Sequence, residues 1–496
     1  MEIVVQKRLL IGASLLVALV AGWQIGNESL LVAGVVGGTM FLWLANWLTG
    51  VPVDAFMTGC ILFGYIVGNR GFAQAHVSGL PILPAELTLG LAVLLSGWRA
   101  ARSKRLPLRR DWLNLLLFAW MVAALARLKW DLSQYGFWAV RDFAMIYYAA
   151  FFFLAQDWAA DPRASRWIRS CLTVAFAAVA PVALAFSRWP DFFITHSMIA
   201  GAPLIYVKSD VAGGLMAAGL FWFLGRYRRG RNPAWLIPAA VNFAGVGLGD
   251  SRGALLAVTA GCLWPLACRD WRTLRPMVGM AGIGLAAALL VAVAGRQPWT
   301  ETSVYRLYES VRSVTDVKGA NFYQSAELND KPDNNQFRLT WWVTITRETL
   351  ERSPWLGLGF GYDLADRFVP IYYGEDPEDF TARSPHNFLL TVFGRMGLLG
   401  LAIMVLFLVA LAARTWRAGR EAARSADDGE NFSLWLAAWC IFISACVGVV
   451  LEGPMGAVAF WTVLGLANAS GATKSLPEGK KAAAPAETLQ TAAEDA

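Results

Sequence analysis

Apolar runs of about 17–25 residues recur along this chain, each long enough to cross ~30 Å of hydrocarbon as a helix. Backbone amides find no water inside a bilayer, so a chain of this kind must hydrogen-bond within itself, and runs of this length select helices. Hydrophobic residues make up 56 % of the sequence and charged residues 16 %. The expected fold class is therefore an all-α polytopic membrane protein, with about 12–14 transmembrane helices and one large periplasmic loop. The runs begin near positions 9, 29, 54, 80, 112, 140, 168, 209, 234, 253, 277, 387, 432 and 453. The first follows Lys7 and Arg8, lacks a small-residue cleavage site and reads as an uncleaved signal anchor.

In such a chain the net charge of +7 reports orientation and is no footprint for nucleic acid. With the N-terminus placed inside, 22 Lys and Arg fall in short inner loops, among them the groups Arg99–Arg110, Arg163–Arg169, Arg226–Arg231, Arg269–Arg275 and Arg414–Arg424. Short outer loops hold seven: Arg70, Arg127, Lys129, Arg141, Arg188, Lys208 and Arg252. Positive charge collects on the cytoplasmic side, so both termini are expected there. All six cysteines fall inside apolar runs, without metal-ligand spacing, and read as small core residues.

The pattern divides into an N-terminal transmembrane bundle at 1–295, a large periplasmic loop at 296–385, C-terminal transmembrane helices at 386–471 and a disordered cytoplasmic tail at 472–496. The loop is too long for a passive connection. Phe337, Trp341, Ile345 and Thr349 recur in it at four-residue steps, the mark of an amphipathic helix that ends at Ser353-Pro354. Gly357, Gly359 and Gly361 form a tight loop behind it; they follow no strand, which excludes a dinucleotide fingerprint.

Ser384-Pro385-His386-Asn387 joins that loop to the next apolar run and holds one of only three histidines. Ser384 suits an N-cap and Pro385 the first helical position, which puts His386 and Asn387 in the first helical turn. The positive end of the helix dipole favours a neutral imidazole able to accept a proton, and its free amides can receive an anion. Asp250-Ser251-Arg252-Gly253 repeats the arrangement at another run on the same outer side. An arginine retained at a span boundary needs an anionic partner, and its planar fork matches phosphate oxygens. Arg141, Arg188, Lys208 and Arg338 also face outward and are candidate phosphate contacts. Glu452 opens the final span on that side, placed to orient His386 or to pair with an arginine.

These residues resemble a known family. Asp250-Ser251-Arg252-Gly253-Ala254-Leu255-Leu256 looks like the Ser-Arg-Gly signature of bacterial O-antigen ligases and related polymerases. Arg338 with Trp341 or Trp342, then Ser353 to Gly361, resembles their loop of Arg, Trp, Pro and Gly-x-Gly-Phe. Pro385-His386-Asn387-Phe388-Leu389 with Gly397-Leu398-Leu399-Gly400 is similar to their His-Asn-x-x-Leu and Gly-Leu-x-Gly element. The family tends to place an Arg shortly before an Asn-Pro-containing span. The corresponding stretch here, Val207 to Asp210, has neither, which leaves Arg188 or Lys208 for that role.

The resemblance implies a membrane glycosyltransferase that moves a glycan from a polyprenyl-diphosphate donor to an acceptor hydroxyl at the periplasmic face of the bacterial inner membrane. The acceptor is lipid A–core for a ligase and another lipid-linked glycan for a repeat-unit polymerase. It further implies His386 as base and Arg252 on the departing diphosphate, assisted by Arg338 or Arg188, with inversion at the sugar and neither metal nor cofactor. Membrane lipid surrounds the bundle. A transporter of polysaccharide or lipid-linked glycan is the remaining reading, and it calls for broken or charged helices near mid-bilayer.

Overall fold

The computed structural model describes residues 44–74, 82–104, 109–199, 202–249, 251–296, 298–302, 331–374, 382–425 and 429–470, with 38, 304, 305, 308, 309, 312 and 380 besides. The apolar runs expected near 9 and 29, His76, Asp250, the acidic stretch 375–379 and the tail from 472 lie outside the described residues.

The protein is an all-α membrane protein; its described strands are a single two-stranded hairpin, β1 (Met198–Ile199) with β2 (Ala202–Pro203). Helical residues 44–49 precede α1 (Val53–Phe63), which runs through a π turn at Gly64–Gly68 into the short α2 (Asn69–Gln74). Helices α3 (Pro84–Ser103), α4 (Trp112–Tyr135), a segmented α5 (Phe137–Ala160) and α6 (Pro162–Arg188) follow. Beyond the short α7 (Pro190–His196) and the hairpin come α8 (Ser209–Gly230), α9 (Leu236–Leu248), α10 (Arg252–Cys268) and α11 (Trp271–Ala294). After the loop region, which contains α12 (Lys331–Arg352) and α13 (Phe368–Tyr373), the described residues close with α14 (Phe388–Arg424), α15 (Gly429–Ala445) and α16 (Pro454–Ser470). Among the described residues, five of these are long and apolar enough to cross a membrane alone: α4, α5, α6, α11 and α14.

Polar contacts sort the helix ends into two groups. At one end Arg99 bridges Asp54 (2.7 Å) and Asp157 (2.8 Å), Arg228 pairs with Asp270, and Glu430 receives Arg169 (3.3 Å) and Arg229 (2.7 Å). These contacts gather the start of α1 and the ends of α3 and α5. They also join the start of α6, the end of α8 and the start of α15. The starts of α8, α10, α14 and α16 meet at the other end, and successive helices run alternately between the two. The alternation is what a membrane bundle with short connections requires.

The core sits around α8, where every residue from Val211 to Gly225 is buried, and around α16, buried from Ala457 to Ala469. Helices apolar all round are buried ones. Close approach depends on small residues: a Cβ on Gly214 of α8 would meet Ser444 of α15 at 2.7 Å.

The glycine loop that follows α12 is built into this bundle. Gly397 breaks α14 with φ 62 and ψ −159, which frees backbone groups on both sides of the kink. The loop satisfies them: Leu358 N donates to Gly394 O (2.6 Å), Gly359 N to Arg395 O (3.2 Å), and Leu398 N donates back to Pro354 O (2.8 Å). Arg395 is almost wholly buried; it pairs with Asp142 (2.8 Å) and donates to the carbonyls of Gly359 (3.0 Å) and Tyr362. A buried arginine is tolerable only when satisfied in this way. Gly357 has φ +75, and a Cβ there would meet Gly397 N at 2.5 Å, whereas Gly374 has φ +79 in open space. Gly357→Ala should therefore lower stability by about 3 kcal/mol or more and Gly374→Ala by about 1 kcal/mol, read as thermal unfolding in detergent.

Candidate functional site

The end where α8, α10, α14 and α16 begin collects most of the residues the sequence singles out. Helix α14 starts three residues later than the Ser384 cap predicts. Asn387 is its N-cap, its Oδ1 accepting from Leu390 N (3.2 Å), and His386 precedes the helix with φ 57. Ser384 is otherwise engaged: its hydroxyl donates to Glu452 Oε1 (2.9 Å), which Thr391 also reaches (3.2 Å). An Asn cap outcompetes a Ser whose oxygen is tied to a carboxylate, and asparagine's neighbour takes the left-handed turn. His386 is thus held outside the helix, and its placement comes from neighbours on both sides. Trp342 Nε1 donates to Pro385 O (2.7 Å), and the Trp341 ring meets the imidazole edge-on at 6.1 Å between centroids.

Trp341 reaches this position because α12 buries one stripe. Trp341, Ile345 and Thr349 are fully buried, and Phe337 packs against the same cluster with Phe368 and Tyr372. On a neighbouring face Asn335 and Arg338, one turn apart, look toward the bundle. Asn335 Oδ1 accepts from Arg252 Nη1 (3.1 Å), and Arg338 lies in the field of His386 and of Asp210. Arg252 and His386, 134 positions apart, therefore flank the same turn of α12. Arg252 is set by its own helix: Ser251 caps α10, accepting from Ala254 N (3.3 Å).

Lys208 and Asp210 complete the cluster. They open α8 and pair at 3.2 Å, and Asp210 Oδ2 also accepts from Val449 N (3.2 Å), which fastens the connection that carries Glu452. Burial pushes the His386 imidazole down to about 4, with Arg338 and Lys208 adding to the effect and Asp210 opposing it. The ring is thus neutral at physiological pH, and its Nδ1 has no hydrogen-bond partner among the described residues. Burial likewise lowers the Arg338 guanidinium and raises the Glu452 carboxyl, whose Oε2 is unpartnered. The surroundings assemble cations beside a neutral base and a nearby carboxyl group.

Two sequence candidates stand apart. Arg141 is exposed and stacks on Trp138 at 4.9 Å, next to the Asp142–Arg383–Arg395 network. Arg188 is exposed at the end of α6, and among the described residues no contact joins it to the His386 cluster. Of the two residues left open for the role near 207–210, Lys208 is the one beside His386. Asn387 acts on the backbone as a cap. Asp210 and Asn335 enter the site without having been singled out as site residues, whereas Trp342 was named with Arg338 in the loop pattern. The Lys208-x-Asp210 spacing at the mouth of an apolar run was the available signal for the first.

Residues 237–405 match the family model described as O-antigen ligase, a stretch that holds Arg252, Arg338, His386 and Asn387. An O-antigen ligase of Salmonella typhimurium is 28 % identical over 170 residues, 33 % of this chain and 36 % of that relative. The chain thus spans about a third of the length of the curated relative it matches. Apolar helices, the motif order and the matched stretch agree: the chain is a membrane protein in which residues 237–405 are similar to the O-antigen ligase family.

Proposed function

We propose that this protein is a glycosyltransferase of the bacterial inner membrane, taking a glycan from a polyprenyl diphosphate and passing it to an acceptor hydroxyl at the periplasmic face. The observation that carries the reading is a neutral imidazole with an open nitrogen, set beside Arg338 and Lys208 and one α12 turn from Arg252. The acceptor oxygen attacks the anomeric carbon as its proton passes to His386. The bond from that carbon to the diphosphate oxygen breaks, and its electron pair leaves with the diphosphate. A diphosphate is a good leaving group, so the reaction needs a base for the acceptor more than an acid for the donor. Arg252, Arg338 and Lys208 supply positive charge where the leaving group gains negative charge. Three cations in one site fill the place of a divalent metal, and attack opposite the leaving group inverts the anomeric centre. Glu452, in contact with Ser384, steadies the segment that holds His386. The positive-inside charge count supports placing this end in the periplasm.

Purified protein in liposomes, given polyprenyl-diphosphate glycan and a lipid A–core acceptor, should form glycosylated acceptor and free polyprenyl diphosphate in equal amounts. A chelator should leave the rate unchanged. Transfer only to a second lipid-linked glycan would make the protein a polymerase, and intact donor with either acceptor would remove the reading. The pH profile follows from the same geometry. The base works deprotonated, so kcat/KM should stay level from pH 8 to about pH 5.5 and fall as pH drops through about 4. Bound diphosphate brings negative charge to the imidazole and raises its pKa, so the acid limb of kcat should lie at higher pH than that of kcat/KM.

A further inference from the structure

The matched stretch begins at residue 237, yet one wall of the site comes from far upstream. Where α1 passes through its π turn, Asn69 stands with φ 55 and ψ −126, a region that residues bearing side chains rarely occupy. π turns of this kind gather at functional sites. Asn69 is wholly buried. Its Oδ1 accepts from Lys208 N (3.1 Å) and from Arg70 N (2.8 Å), so it fixes the residue from which α8 departs. The same segment is laced to the strand that leads to Lys208. Tyr206 N donates to Gly68 O (3.1 Å), Gly71 N donates to Tyr206 O (3.3 Å), and a Cβ on Gly71 would meet Pro203 O at 2.4 Å.

Glycine would occupy position 69 without strain, so the strain is offset by what the side chain does. Its oxygen is accounted for by Lys208 and Arg70. Its Nδ2 is buried with no partner among the described residues, and an unmet buried donor is destabilising until something accepts from it. An acceptor from beyond the described residues would meet it, and the amide stands on the residue that holds the Lys208 backbone at the start of α8.

Resting on the transferase reading, we propose that Asn69 is a further donor-binding residue, its oxygen positioning Lys208 while its Nδ2 donates to an oxygen of the polyprenyl diphosphate. Asn69→Asp tests the two roles separately. The aspartate keeps an acceptor for Lys208 N and Arg70 N, and it replaces the open donor with an oxygen that repels a phosphate. Full-length protein in detergent micelles would be titrated with undecaprenyl diphosphate. The aspartate puts a charge in a buried place, so the variant should unfold at a lower temperature than the wild type, and the folded protein should bind at least about tenfold more weakly. Asn69→Gly, which relieves the backbone, should also fold and should lose a similar factor. Wild-type affinity in a folded Asn69→Asp protein, or in the glycine variant should the first not fold, overturns the proposal. If the wild type itself does not bind undecaprenyl diphosphate, the transferase reading fails and this inference fails with it.

Discussion

His386→Ala should reduce glycan transfer by about 10³-fold or more while leaving membrane insertion and abundance unchanged, the range typical for loss of a positioned base. The backbone at this position accepts the change at modest cost, because the left-handed conformation disfavours alanine by only about 1–2 kcal/mol. The segment is also fixed independently of the ring, through Trp342 on Pro385 O and Ser384 on Glu452. Donor binding should survive, since a neutral imidazole adds little to the attraction of a diphosphate. The comparison to make is initial transfer rate per folded protein, with donor affinity measured beside it. An abundant, folded His386→Ala protein with wild-type transfer would remove His386 from the chemistry.

Arg252→Lys should lose about 100-fold in transfer although the charge is kept. A lysine is a point charge with no planar fork, so it cannot both hold Asn335 and present two parallel donors to a phosphate oxygen pair. Under the proposed role Arg252 meets the group on which charge grows, so the loss should appear in kcat as well as in KM. The Ser251 cap and the packing of Gly253 against Val447 are untouched, so stability should hold. A rate within a few fold of wild type would leave Arg252 as a helix-end arginine braced on Asn335.

These expectations rest partly on what the chain announces before it folds. Runs expected to start near 54, 80, 112, 209, 234, 253, 387 and 453 begin as helices at 53, 84, 112, 209, 236, 252, 388 and 454, because length and hydrophobicity alone decide them. The four-residue repeat from Phe337 is a helix for the same kind of reason. Charge bias reports which end of the bundle a residue occupies, and Arg252, Lys208, Arg338, Glu452 and His386 do share one. It reports nothing of position around the bundle axis, which is why Arg141 and Arg188 were indistinguishable from Lys208. Packing decides that coordinate, through contacts such as Gly213 of α8 against Ser251.

The cap of α14 was misplaced because Ser384 and Asn387 are both good caps in isolation, and only Glu452, 68 positions away, removes the serine from the choice. Asn69 was invisible for a related reason. Nothing in Gly68-Asn69-Arg70-Gly71 marks a strained turn, and its meaning comes from Lys208, 139 positions later. The glycines at 357, 359 and 361 were read as a tight loop, and the kink at Gly397 shows what the loop is for.

In the proposed reaction, cations gathered at one end of the bundle from α8, α10 and α12 grip a lipid-borne diphosphate together, and exposed arginines at the same end do not. Affinity of the purified protein for undecaprenyl diphosphate tests this across four substitutions. Arg252→Gln and Arg338→Gln should each weaken binding at least about tenfold, while Arg188→Gln and Arg141→Gln should match the wild type. An equal loss in all four, or no loss in the first pair, would contradict it.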